Sequence, residues 1–381
     1  MRTKKFAVLA AGMALTFALA ACGGGGAGSA KAGETAGAKG GTIGVAMPTQ
    51  TSERWIADGK AVKKGLEADG YKVDLQYAGD DIPVQSQQID QMITKGVKLL
   101  IIASIDGKAL SSQLQAAADA HIPVIAYDRL IRDSKNVDFY VTFDNEKVGD
   151  QQATSLLVGL GLLKADGSKG TAKGPFNVEL FAGSLDDNNA SFFWKGAIAK
   201  LQPFIDDGTI VVKSKQTKIE QAATLQWKQE TAQKRMEDLL TSAYSDGSKV
   251  DGVLSPYDGI SRGIITALKN DGYGTTAKPM PPISGQDSEI ASVKLIADGV
   301  QFASIFKDTR KLAAQAITSS KAILEGKTPV ANDTKSYDNG VKVVPSFLLK
   351  SDIVYKDNIK SLLVDSGYYT AAEVASGQAA S

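Results

Sequence analysis

The chain has one cysteine and one histidine in 381 residues. A single cysteine excludes an internal disulfide, and the two together are too few for a Cys/His zinc cluster or most nucleophilic triads. Charge of one sign is also missing. Lys and Arg number 43 against 42 Asp and Glu, a formal net charge of +1. No basic surplus exists to neutralise nucleic-acid phosphates. No G-x-G-x-x-G follows a strand-like run, which removes the usual dinucleotide cradle. Among enzymes, a hydrolase built on paired carboxylates stays open, and most other classes are disfavoured. What is there, 43 % hydrophobic and 22 % charged residues, is the composition of a soluble globular protein long enough for two domains.

The one long apolar run, Phe6–Ala21, follows Arg2, Lys4 and Lys5. It is too short and Ala-rich for a spanning helix and reads as a secretory signal, residues 1–21. Leu19-Ala20-Ala21-Cys22 looks like a bacterial lipobox, which makes Cys22 the lipidated first residue of the mature protein. The alternative is a cysteine discarded with an ordinary signal. Two acyl chains at Cys22 suffice for stable anchoring. The stretch after it, through residue 41, is rich in glycine and has no large apolar side chain, so it reads as a flexible tether of roughly 25 Å.

From Thr42 onward, short apolar strands alternate with helical stretches. Strands are expected at Thr42–Met47, Lys72–Tyr77, Lys98–Ala103 and Pro123–Tyr127, then at Asn177–Phe181, Ile210–Val212, Gly252–Ser255, Pro282–Gly285, Phe302–Phe306 and Val343–Leu349. Strands apolar throughout imply parallel sheets covered on both faces, and the strand–helix alternation implies βαβ units. The expected fold class is α/β, two doubly wound parallel-sheet lobes joined by a hinge. Residues 42–145 with 307–336 are assigned to the N-terminal lobe and 146–306 with 337–381 to the C-terminal lobe. The hinge crossings fall near Asn145–Glu146, Phe306–Lys307 and Ser336–Asn339.

Ligands of open parallel sheets bind beyond the carboxyl ends of the strands. The residues that follow the strands are therefore the candidate site: Arg54 and Trp55, Asp80 and Asp81, Ser104 and Asp106, Asp128 and Arg129, Asp144 and Asn145, Asp186 to Asn189, Asp258, Asp287 and Lys307. Asp80 and Asp81 read equally well as helix caps, and Asp106 as a turn residue. Trp194 reads as core. Carboxylates, amides and a guanidinium fork pair well with vicinal hydroxyls, and a Trp face suits the C–H face of a pyranose. That inventory favours a neutral polyhydroxylated ligand.

The segments ERW, IASIDG, AYDRLI, TFDNEKVG, DDNNA, SPYDG, SGQD, FKDTR and NGVKVVPSFLL, in this order between Thr42 and about Tyr369, resemble the periplasmic xylose-binding and multiple-monosaccharide-binding proteins of ABC sugar importers. The resemblance implies a type I periplasmic-binding-protein fold. It implies that Arg54, Trp55, Asp128, Arg129 and Asn145 face the sugar from the first lobe and its crossing, with Trp55 stacking. Asp187, Asn189, Asp258 and Asp287 would take hydroxyls from the second lobe, Trp227 would be the second stacking ring, and Lys307 would donate from the second crossing. Tyr257 stands where xylose-binding members carry Asn, and the lipobox departs from members that are freely periplasmic. The expected protein is a non-enzymatic, monomeric binding lipoprotein at the outer face of the cytoplasmic membrane. It would take an aldose, need no cofactor and no metal, and serve an ABC permease with its ATPase subunits. The alternative is a sugar sensor presenting its ligand to a signalling receptor. A sugar-responsive repressor is disfavoured by the leader and the lack of a helix-turn-helix, and a glycosidase by a cleft dominated by ground-state hydrogen-bonding groups.

Overall fold

The computed structural model describes residues 40–379. The expected signal, Cys22 and all but the end of the tether lie outside the described residues. In the first lobe the chain runs β1 (Thr42–Met47), α1 (Glu53–Ala68), β2 (Lys72–Tyr77), α2 (Ile82–Thr94), β3 (Leu100–Ile102), α3 (Ser111–Asp119), β4 (Val124–Tyr127) and β5 (Phe139–Phe143). The second lobe follows with α4 (Asn145–Gly159), β6 (Phe176–Leu180), α5 (Asn188–Asp206), β7 (Ile210–Val211), α6 (Ile219–Ala222), α7 (Gln229–Ser242), β8 (Gly252–Leu254), α8 (Asp258–Asn270), α9 (Ile290–Ala297) and β9 (Ser304–Phe306). The chain returns through α10 (Thr309–Leu324) and β10 (Ser346–Leu349), then ends with β11 (Asp352–Val354) and α11 (Ala371–Ser376).

The first sheet has six strands, all parallel, in the order β10-β5-β4-β3-β1-β2. Strand side chains alternate between two faces. Ile43, Val45 and Met47 pack under α1 and α10 with Val62, Leu66, Leu312 and Ala316. Ala46, Leu100 and Ile102 pack under α2 and α3 with Ile89, Met92, Leu114 and Ala117. This two-sided burial is why the central strands β3 and β4 carry no charged or amide side chain.

The second sheet is shorter and more broken. β7-β6-β8 form a parallel trio. The strand expected at Pro282–Gly285 is present only as isolated parallel bridges, Val253 to Ile283 and Gln286 to Ile305. Pro281 and Pro282 have no N–H to give a ladder. β9 pairs antiparallel with β11 at the edge. Helices α4 and α5 pack on one another through glycines: a Cβ at Gly149 would lie 2.0 Å from the Phe193 carbonyl oxygen, and one at Gly196 would lie 2.0 Å from that of Glu146. Only a bare backbone permits this approach, and it fixes the first two turns of α5, which carry Asn189 and Phe193.

One boundary needs correction. β10 pairs with β5, so residues 337–349 belong to the first lobe, and the third crossing falls between β10 and β11 near residues 350–351 rather than at 336/337. The strand's run of residues is visible in the sequence, but its lobe is decided by its partner.

Candidate functional site

Between the carboxyl ends of the two sheets lies a small cavity of about 70 Å³. Arg54 and Trp55 come from the first turn of α1, and Asp128 and Arg129 from the end of β4. Asp187 and Asn189 start α5, Trp227 ends the short turn Leu225–Trp227, and Asp287 and Lys307 flank β9. These nine residues, drawn from both lobes, all line the cavity.

Their charges fall into two balanced sets, Arg54 and Lys307 with Asp128 and Asp287, and Arg129 with Asp187. Arg54 Nη2 lies 2.9 Å from Asp128 Oδ2, and its Nη1 lies 3.7 Å from Asp287 Oδ1. Lys307 Nζ lies 3.1 Å from Asp287 Oδ1 and 3.9 Å from Asp128 Oδ2. Arg129 Nε reaches Asp187 Oδ2 across the cleft at 3.0 Å, while its Nη1 donates to the Ser104 carbonyl at 3.2 Å. Asp128 Oδ2, Asp287 Oδ1 and Arg129 Nε sit at ion-pair distance without the alignment of a hydrogen bond within the protein. Burial alone would raise the Asp128 carboxyl, but Arg54 and then Lys307 outweigh it and hold it below the ordinary carboxylate value. For Asp187 burial wins over Arg129, and the carboxyl is raised.

Aromatic rings close the remaining walls. The guanidinium carbons of Arg54 and Arg129 lie 4.3 and 5.1 Å from the Trp55 ring centroid, so this ring first serves to hold two cations. Trp227 stands edge-on to Phe193 and Tyr257, with centroids 6.3 and 6.2 Å away. Its buried Nε1 has no hydrogen-bond partner within the protein. A Cβ at Gly183 would lie 2.0 Å from this indole, so the bare backbone there is what admits the ring.

The backbone at the site is strained. Asp80, Asp128, Gln226, Trp227 and Asp287 all have φ between 51° and 86°, and all five line the cavity. Left-handed φ costs a bulky residue such as Trp on the order of 1–3 kcal/mol, and such strain concentrates at ligand sites.

Two expected wall residues are elsewhere. Asp258 is fully buried behind the wall, where its carboxylate accepts from Gln301 Nε2 and from the Glu289 amide, both at 2.9 Å. It opens α8 one residue after Tyr257, whose extended backbone places its side chain at the cavity while that of Asp258 turns inward. Asn145, the first residue of α4, is also buried one layer back. Its amide donates to Asn189 Oδ1 at 3.0 Å and so braces a wall residue at the lobe crossing. Of the acidic pair, Asp80 lines the cavity, whereas Asp81 caps α2 by accepting from the Val84 amide. Trp194 packs with the core of the second lobe, and Asp106 holds its own turn through the Lys108 amide. Sequence reasoning missed Thr49, Thr51, Ser52, Phe193, Gln226, Tyr257 and Gln286 as wall residues.

The periplasmic binding protein domain model matches residues 43–328. The chain belongs to the periplasmic binding protein family. It is 56% identical over 334 residues to the multiple sugar-binding periplasmic receptor ChvE of Rhizobium radiobacter, covering 88% of this chain and 92% of that one. It is 36% identical over 334 residues to the D-xylose-binding periplasmic protein of Escherichia coli, covering 87% and 92%. Among solved structures, an ABC transporter solute-binding protein from Clostridium phytofermentans with bound β-D-glucose is 46% identical and superposes with a TM-score of 0.81, covering 87% of this chain and 99% of that one. The type I periplasmic-binding-protein fold implied by the resemblance is therefore the fold of this chain.

Proposed function

We propose that this protein captures a neutral monosaccharide between its lobes and delivers it to the permease of an ABC importer. The observation that carries the reading is the charge arrangement of the cavity. Arg54, Arg129 and Lys307 face Asp80, Asp128, Asp187 and Asp287, so no unpaired charge cluster calls for an ionic ligand. Several of these polar atoms lack aligned partners within the protein, and a hydroxyl both donates and accepts in such gaps. Trp227 supplies a flat apolar face beside them. The multiple sugar-binding and xylose-binding relatives, and the glucose-bound solved relative, support the same class of ligand and an extracytoplasmic place of action. The relatives are sugar-binding proteins, one of them an ABC transporter solute-binding protein, and in this reading the protein binds its sugar rather than turning it over.

Arg54, Trp55, Asp128, Arg129, Asp187, Asn189, Trp227, Asp287 and Lys307 hold the sugar, while Asn145 and Asp258 act from behind the wall. Binding closes the lobes about the three crossings, and the closed form is what the permease reads. Calorimetric titration with D-glucose, D-galactose, D-xylose, L-arabinose, D-fructose and D-ribose should give at least one saturable isotherm. Silence across the panel would overturn the reading. A lipidated Cys22 holds the protein at the outer face of the cytoplasmic membrane. Cys22→Ser should release it from membranes with sugar binding intact, and a wild type already fully soluble in its host would refute the anchor.

A further inference from the structure

Behind the cavity, one carboxylate has been left without a role. Asp58 lies one helical turn after Arg54 in α1 and is fully buried. Its Oδ2 accepts from Arg54 Nε at 2.9 Å and from Nη2 at 2.8 Å. Its Oδ1 accepts the phenol of Tyr127, at the end of β4, at 2.5 Å. Asp58 does not line the cavity. The two bonds to one oxygen fix the plane of the guanidinium. They leave its Nη2 2.9 Å from Asp128 Oδ2 and its Nη1 3.7 Å from Asp287 Oδ1, on the two carboxylates that do line it.

We infer that Asp58 is a positioning residue for sugar capture: braced by the Tyr127 phenol, its carboxylate holds the Arg54 guanidinium in the orientation in which it faces the cavity. The inference rests on the sugar-binding reading given above. Without the Asp58 charge, Arg54 has only Asp128 and Asp287 to lean on. It then occupies the acceptor oxygens that a sugar hydroxyl needs.

The groups that face Asp58 are Arg54 on its own helix, Tyr127 on β4 and Asp128 just past it, and its charge is also felt by Tyr77 on β2 and by Tyr368. Burial pushes the Asp58 carboxyl up, Arg54 and the Tyr127 phenol oppose, and the outcome is about 6. Two opposite pH dependences follow. Affinity falls as pH drops through about 6, because the positioning charge is lost. Stability from this group moves the other way. A carboxyl raised in the folded state contributes stability below its ordinary range, and that contribution is lost as pH rises through the raised value. A residue acting only as packing would not separate the two curves.

The test is calorimetric titration with D-glucose from pH 4.5 to 8, with urea unfolding over the same range, for wild type, Asp58→Asn and Tyr127→Phe. Asp58→Asn should bind about tenfold more weakly at pH 7.5 and show no step near pH 6, so that its curve meets the wild-type curve at low pH. Tyr127→Phe removes a donor that favours the carboxylate, so the step should move to higher pH. An Asp58→Asn protein that binds like wild type at pH 7.5, or keeps the step, overturns the inference. If Asp58→Asn does not fold, an unmoved step in Tyr127→Phe overturns it instead. If wild type binds D-glucose while these expectations fail, the sugar reading stands and only the role of Asp58 falls. If wild type binds none of the six sugars, both fall.

Discussion

The two lobes contribute opposite halves of the same site. The first lobe brings two guanidiniums, Arg54 and Arg129, set on the Trp55 ring, with Asp80 and Asp128 beside them. The second brings Asp187 and Asp287 and a corner of aromatic edges, Trp227 with Phe193 and Tyr257. Lys307 stands at the crossing between them. Cations are held by the lobe with the regular six-stranded sheet, and the aromatic corner by the lobe with the broken one. Closure matches the halves: Arg129 meets Asp187, Ser52 donates to Glu289 at 2.6 Å, and Gln226 donates to the Asp80 carbonyl at 3.2 Å.

The largest break in this match should come from Arg129→Ala. Asp187 would be left buried and unpaired, and the sugar would lose charge-assisted bonds of about 1.5–3 kcal/mol. Titration calorimetry should show affinity lower by roughly 10- to 200-fold. A double-mutant cycle with Asp187→Asn should return a coupling of about 0.5–3 kcal/mol, and strict additivity would mean the lobes do not meet here in solution.

Trp227→Ala should cost roughly tenfold in affinity, with Trp227→Phe recovering most of it, because the second lobe supplies a face rather than a charge. An equal loss in both variants would show that the indole N–H matters more than the ring.

Asp258 should separate fold from site within the second lobe. Burial and the nearby Glu289 push its carboxyl up to about 8. A raised carboxyl favours the folded state at low pH, so urea stability should decline as pH rises from 6 to 8, by at most about 1.4 kcal/mol per pH unit. Asp258→Asn should lack that decline while its sugar affinity stays within about threefold of wild type, less than a single charge-assisted bond is worth. A large affinity loss at unchanged stability would return Asp258 to the cavity wall. The smallest effect is expected from Asp106→Ala, a turn residue away from the wall, whose affinity should change less than threefold.

Most of the first lobe was legible because its signals are local. Uninterrupted apolar runs such as Leu100–Ile102 identify doubly covered parallel strands, and the polar residues next to them fall at the sheet ends. Asp128 and Arg129 stand just past such a strand, and both line the cavity. Asp258 and Asn145 each open a helix, and each turns to buried partners behind the wall, Gln301 and Asn189, which no local pattern announces. Trp227 follows no strand, and only the family resemblance pointed to it. Gln226 and Phe193 depend on a left-handed turn and a glycine-mediated helix contact, neither of which leaves a local pattern. The lobe of β10 depends on its pairing with β5, a contact about 200 residues away in sequence, which no window could reveal.

That pairing also changes what kind of joint connects the lobes. The chain passes between them at β5–α4, at β9–α10 and at β10–β11, each time through only a few residues. Three short crossings should bend about the line through them more easily than they twist or slide, as a leaf flexure does. Opening is then a motion along one soft coordinate. A single distance between probes placed one on each lobe, far from the crossings, should report its full course, and cutting any one crossing should soften the twist while both lobes remain folded.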